Sequence, residues 1–158
     1  DWGRELPWTE LVQPVCARAA AVAVALALPR WRAPEVRAAH AIDDDDLATV
    51  EAILRLTQAW IERPTQALVD QVVGQCASRA LGGLSGDVGL ELASVVCQPV
   101  ASNARSPYSL QQHTARSAAQ VVDLASDAVY ELGHSEGALR DAIRAATIPW
   151  LLDAPALP

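Results

Sequence analysis

The sequence predicts an all-α protein, a compact bundle of about six to seven helices with short connections. Three observations predict it. Apolar residues recur at spacings of three and four along most of the chain, the period of a helix with one buried face. Alanine fills the places between them, which raises helix propensity and lets helices approach closely. Proline, glycine and aspartate runs interrupt the pattern where helices would start and stop. No stretch alternates with period two for long, so strands are not expected. At 158 residues the chain suits a single helical domain, 1–158, around one core.

The first helix is expected over residues 8–28. Val15, Val22 and Leu26 mark one face, and alanine coats nearly every other side. A helix apolar all round is usually buried all round, which places this one near the middle of the bundle. Pro29 is expected to end it. The apolar run 19–28, bracketed by Arg18 and Arg30, is shorter than the ~20 residues a membrane span needs. It reads as a core helix.

A turn with proline at each end follows, from Pro29 to Pro34, with Trp31 between Arg30 and Arg32. Pro34 suits the first position of a short helix reaching about Ala41. Then come four consecutive acids, Asp43, Asp44, Asp45 and Asp46, and an amphipathic helix over 47–62. Its inward positions are Leu47, Val50, Leu54, Thr57 and Ile61, with Ile53 and Trp60 beside them. Pro64 can open the fourth helix, with a stripe of Leu68, Val72, Cys76 and Ala80 flanked by Val69, Val73 and Ala77. Gly82 and Gly83 close it. The fifth helix spans 87–98, with Val88, Leu92, Val95 and Val96 inward. Gly89 weakens it, and Pro99 ends or kinks it. Residues 102–109 read as a loop. The sixth helix covers 110–132 on a stripe of Ala118, Val121, Val122, Ala125, Val129 and Leu132, and Gly133 stops it. Ser135 caps the last helix, which turns Leu139, Ala142, Ile143 and Ala146 inward until Pro149 ends or kinks it. The tail to Pro158 is expected to be irregular.

The basic residues are twelve arginines and no lysine, and the formal net charge is −7. That balance argues against nucleic acid, which needs a basic face. It suits a basic protein partner. Cys16, Cys76 and Cys97 are odd in number and set in apolar surroundings, so they read as small buried hydrophobes in a reducing cytoplasm. The chain begins with Asp1 and contains no methionine, as expected of a processed chain or a segment.

No catalytic constellation stands out. The aspartate run lacks the alternation, bend glycine and distal Glu of a calcium loop, and reads as an N-cap on the helix that follows. His40 lies three residues before Asp43, within reach of a hydrogen bond, but His113 and His134 are remote in sequence and show no zinc spacing. The stretch 83–87 resembles a nucleophile elbow until Asp87 takes the place of the last glycine. A phosphate loop cannot form without lysine. No metal or cofactor is expected.

Residues 43–80 carry an acidic turn, a helix ending near Ala59 and Trp60, a short break and an Ala-rich helix. In these features the segment resembles the all-helical bacterial immunity proteins found beside polymorphic toxins. It departs from them at Leu47, where an Arg is expected, and at Arg55, where a Glu is common. The resemblance implies a protein that blocks a cognate toxin.

The expectation is a non-enzymatic, cytoplasmic protein-binding domain whose partner is another protein, such as a basic toxin. Neither nucleic acid nor membrane is an expected partner. The contact residues are expected to be Asp43, Asp44, Asp45 and Asp46, with Trp31 and Arg32 as neighbours. Trp31 reads as the most exposed aromatic, a Trp–Arg pair of the kind enriched at interfaces, or else as a lid folded over the bundle. The alternative function is a structural or regulatory module that oligomerises through its helix faces. An enzyme would require His40, His113 or His134 to meet carboxylates in one pocket.

Overall fold

A computed structural model describes residues 8–77, 81–101 and 107–153. The protein is an all-α bundle of seven helices among these residues: α1 (Trp8–Trp31), α2 (Pro34–His40), α3 (Asp44–Glu62), α4 (Gln66–Ala77), α5 (Leu90–Ala101), α6 (Pro107–Glu131) and α7 (Glu136–Asp153). A π-helical turn, Ser85–Gly89, leads directly into α5.

Helix α1 is the hub, packing on α2, α3, α5, α6 and α7, and most extensively on α6. It is not buried all round. Its deep face is Ala17, Ala20, Ala21, Val24, Ala27 and Leu28, whereas Val15, Val22 and Leu26 are half-buried and Ala25 is exposed. These residues share one core with Val121, Ala125 and Val129 of α6, the helix on which α1 packs most extensively. Small residues on both helices let the backbones come close, so the largest contact in the bundle uses some of its smallest side chains. The stretch Val12–Trp31 is 20 residues with a mean hydropathy of 1.6, long and apolar enough to cross a bilayer by length and composition. The reading of this helix as too short therefore held only for its central run. A core helix passes the same test.

Helix α3 buries Leu47, Val50, Ile53, Leu54, Thr57 and Trp60, as its spacing predicts. Gly89 does not merely weaken the next segment. A Cβ there would lie 3.3 Å from Ile53 Cδ1, so its absence brings the π turn onto α3. In α4 the inward positions are Val69 and Val72, while Val73 is 47% exposed, which narrows the expected stripe.

The prolines end fewer helices than expected. Pro29 lies inside α1 and Pro149 inside α7. Proline deprives the carbonyl four residues earlier of its partner. Those carbonyls belong to Ala25 and Ala145, both exposed, so water serves them at little cost. Pro99 sits inside α5, and its orphan carbonyl is that of Val95, a fully buried residue. Here the Gln13 side-chain amide, on α1, donates to Val95 O at 3.0 Å and to Val96 O at 2.9 Å. One half-buried glutamine makes the helix through Pro99 tolerable. Pro64 does not open α4, which starts at Gln66 with Thr65 Oγ1 accepting from Leu68 N.

Helix α2 ends with Ala41 in the left-handed conformation at φ 51°. Gly133, at φ 81°, closes α6, with its N–H on Tyr130 O. Arg18 lies 4.2 Å from the ring centre of Trp150, joining α1 to α7 through a cation–π contact. The expected loop at 102–109 falls outside the described residues at 102–106, and 107–109 belong to α6. Ala80 and the tail after Asp153 also lie outside the described residues.

Candidate functional site

The C-terminal end of α1 meets α2, the π turn and α6 around a cleft of about 330 Å³. Arg30 and Trp31 come from α1, and Val36 and His40 from α2, with Ile42 just beyond it. Gly83, Leu84, Asp87 and Val88 come from the π-turn side. Leu124, Asp127, Ala128 and Glu131 come from one face of α6, at helical spacing. Buried Trp31, Val36, Ile42, Val88 and Ala128 make the interior apolar. The charged groups sit at the edges.

Trp31 is 7% exposed. Of the two readings of Trp31, this burial bears out the lid folded over the bundle. Continuation of α1 through Pro29 carries the indole inward instead of leaving it on a loose turn. Arg32 points elsewhere. Its Nε and NH2 both donate to Glu51 Oε1, at 3.0 and 2.9 Å, fastening the α1–α2 turn to α3.

Arg30 is the cleft's fixed cation. Its NH1 reaches Glu35 Oε1 at 2.8 Å and its Nε reaches Glu131 Oε2 at 2.8 Å. The hydrogen bond to Glu131, more than any other contact, raises the guanidinium pKa above its ordinary value. One side chain thereby ties α1, α2 and α6 together at the mouth.

The aspartate run divides its tasks. Asp43 is the N-cap of α3, its Oδ1 accepting from Asp46 N at 2.8 Å. Asp44, 92% exposed in its side chain, pairs with Arg37 at 2.6 Å. Asp45 is exposed, and its carbonyl accepts from Thr49 Oγ1 at 2.7 Å. Asp46 reaches across the fold. Its Oδ1 accepts from Ser85 N at 3.2 Å, capping the π turn from a residue 39 positions away. Gly83, at φ 53°, lines the cleft, and a Cβ there would lie 3.1 Å from Asp46 Oδ2. Of the two sequence interruptions, 29–34 lines the cleft through Arg30 and Trp31, whereas 43–46 stays outside it and meets its wall only behind Gly83, through Asp46.

Among the described residues no hydrogen bond joins His40 to Asp43, whose Oδ1 instead accepts the capping bond from Asp46 N. Only His40 of the three histidines lines the cleft, and His113 and His134 are exposed elsewhere. Among the described residues no group of three or more His, Cys, Asp or Glu is placed to hold a metal ion. Sequence reasoning missed Arg30, Asp87, Asp127 and Glu131. The α6 acids do recur at an interval of four, but so do solvated surface charges, and only the packing shows which side they face.

The cysteines are half-buried, more accessible than expected. Burial pushes the Cys97 thiol up to about 11, with Cys76 and Asp70 adding to the effect. Such thiols are poor nucleophiles at neutral pH.

Comparison of the chain with protein-family models, curated proteins and solved structures finds no match.

Proposed function

We propose that this is a non-enzymatic protein-binding domain, and that its partner presents a basic surface to the cleft beside Trp31. One observation carries the reading: an apolar interior rimmed by Asp87, Asp127 and Glu131, in which the one arginine lining it among the described residues is already engaged by Glu35 and Glu131. Such a cleft favours an apolar segment flanked by positive charge and disfavours an acidic one. The resemblance of residues 43–80 to toxin immunity proteins points the same way, to a cytoplasmic inhibitor that occludes a basic toxin.

A photo-cross-linking residue at Leu124, on the cleft wall, tests this in cells, with Val73 on α4 as the remote control. The expected result is a discrete adduct from position 124 alone. The captured protein, once purified, should bind the Asp87→Asn/Asp127→Asn variant at least about tenfold more weakly, as loss of charge pairing at a desolvated contact implies. Absence of an adduct at 124, or equal affinity for the variant, would overturn the proposal.

A second reading draws on a different observation. The outer face of α1 leaves Val15 and Val22 half-buried and Ala25 exposed, a surface suited to self-association. Light scattering distinguishes the two. A dimer dispersed by Ala25→Arg supports an oligomerisation module, and a monomer at all concentrations removes it.

A further inference from the structure

We infer that the cleft receives an arginine side chain of the partner, its guanidinium between Asp87 and Asp127 and its methylenes on the apolar wall. The inference rests on the protein-binding reading of the same cleft and names the group that cleft grips. Asp87 enters from the π turn and Asp127 from α6. Both are exposed, and neither takes part in an ion pair or side-chain hydrogen bond among the described residues. Of the lining charges among the described residues, three are carboxylates and one is an arginine, an excess of two negative charges with histidine neutral. A cation is the occupant this field selects.

Arginine fits better than lysine for two reasons. Its planar fork can serve carboxylates on two different elements at once, which a point-like ammonium does less well. The chain itself shows that arrangement at the mouth, where Arg30 spans Glu35 of α2 and Glu131 of α6 at 2.8 Å each. The stem of a second arginine has Val88, Leu124 and Ala128 to lie against, as long cationic side chains do on apolar surface. A volume of about 330 Å³ lies at the small end of the ~300–1,000 Å³ typical of ligand sites. That is room for a side chain and its neighbour.

The test uses three blocked dipeptides, leucyl-arginine, leucyl-lysine and leucyl-citrulline, titrated into the isotope-labelled protein. Citrulline keeps the shape of arginine and removes its charge. The arginine peptide should produce saturable shifts at the Trp31 indole and at the Leu124 and Ala128 amides. The citrulline peptide should bind at least about tenfold more weakly, and the lysine peptide should fall between them. Asp87→Asn/Asp127→Asn should remove the arginine preference, while Asp123→Asn, on α6 outside the cleft, should preserve it. Leu124→Ala gives a second variant should the double one melt early. Equal binding of arginine and citrulline peptides, or shifts spread over the surface without saturation, would overturn the inference. The captured partner separates it from the broader reading. If its arginines at the contact can be changed to glutamine without loss of affinity, the arginine fails and protein binding stands. If position 124 captures nothing, both fail.

Discussion

Alanine substitution at Asp46 is expected to cost far more stability than at Asp44, although the two are separated by a single residue. Asp46 accepts the Ser85 N–H from across the fold, and Ser85 is 3% exposed. Removing the carboxylate leaves a shielded donor without its acceptor. A hydrogen bond to a charged group contributes about 1.5–3 kcal/mol, so Asp46→Ala should cost about 2 kcal/mol. Asp46→Asn keeps an acceptor oxygen in place and should recover more than half of that. Asp44 pairs with Arg37 at 92% side-chain exposure. Solvent screening limits such a pair to about 0–1 kcal/mol. Asp43→Ala removes the α3 cap and should cost about 1 kcal/mol. For a domain of this size the Asp46→Ala loss corresponds to a drop in Tm of roughly 4–8 °C. Urea unfolding followed by far-ultraviolet circular dichroism measures all four variants on one scale, with a constant slope confirming comparable unfolded states. The reasoning fails if Asp46→Ala lies within 0.5 kcal/mol of Asp44→Ala, or if asparagine rescues nothing. The outcome decides which acids can be used to study binding. A loss of affinity in an Asp46 variant would report a displaced π turn, whereas one in an Asp44 variant would report the surface.

Further outcomes are expected at Gln13, Thr57 and Cys97. Gln13→Leu should destabilise by about 1–3 kcal/mol by stranding the Val95 carbonyl, and Pro99→Ala, which restores an N–H to that carbonyl, should shrink the loss; additive effects in the double variant would refute the link. Thr57 is fully buried with an unpaired hydroxyl, so the near-isosteric Thr57→Val should leave Tm unchanged or raise it, and a loss above about 1 kcal/mol would show that the hydroxyl is bonded. The Cys97 thiol, with a pKa of about 11 against an ordinary 9.0, should alkylate roughly a hundredfold more slowly at pH 8 than a free thiol when followed by mass spectrometry. Because the folded state holds that proton while the unfolded chain releases it, Cys97 should also make stability fall between pH 9 and 11, a fall that Cys97→Ala should reduce.

Which parts of the fold were legible follows from how local the signal was. Helix α3 is recovered to within three residues because cap, charge and apolar period all lie in one stretch of chain. The long-range satisfactions are not written in any window. Pro99 reads as a stop because its lost hydrogen bond is local, while its replacement, Gln13, comes from the other end of the sequence. Trp31 reads as exposed for a related reason. Pro29 signals a turn, yet it costs only one hydrogen bond, at exposed Ala25, so α1 continues and carries the indole inward. On α1 the larger side chains suggested the buried face, and the bundle buries alanines instead because the approach of α6 leaves no room for more.

The distribution of charge shows what that long-range accounting leaves over. A net charge of −7 invites the reading that the whole surface is acidic and that any basic partner will do. The structure narrows it, since many of the carboxylates around the cleft are already spent on the fold. Asp43 and Asp46 cap helix starts, Glu51 holds Arg32, Asp44 meets Arg37, and Glu35 and Glu131 share Arg30. Each of these is tied to a helix terminus or an arginine of this chain, and a partner that took it would have to break an existing contact. Asp87 and Asp127 carry no such cost, and they stand beside the apolar wall of Val88, Leu124 and Ala128, against which a partner's side chain can lie. An arrangement that uses its other acids internally and leaves two free beside a hydrophobic cleft gives a partner's positive charge one preferred place to dock.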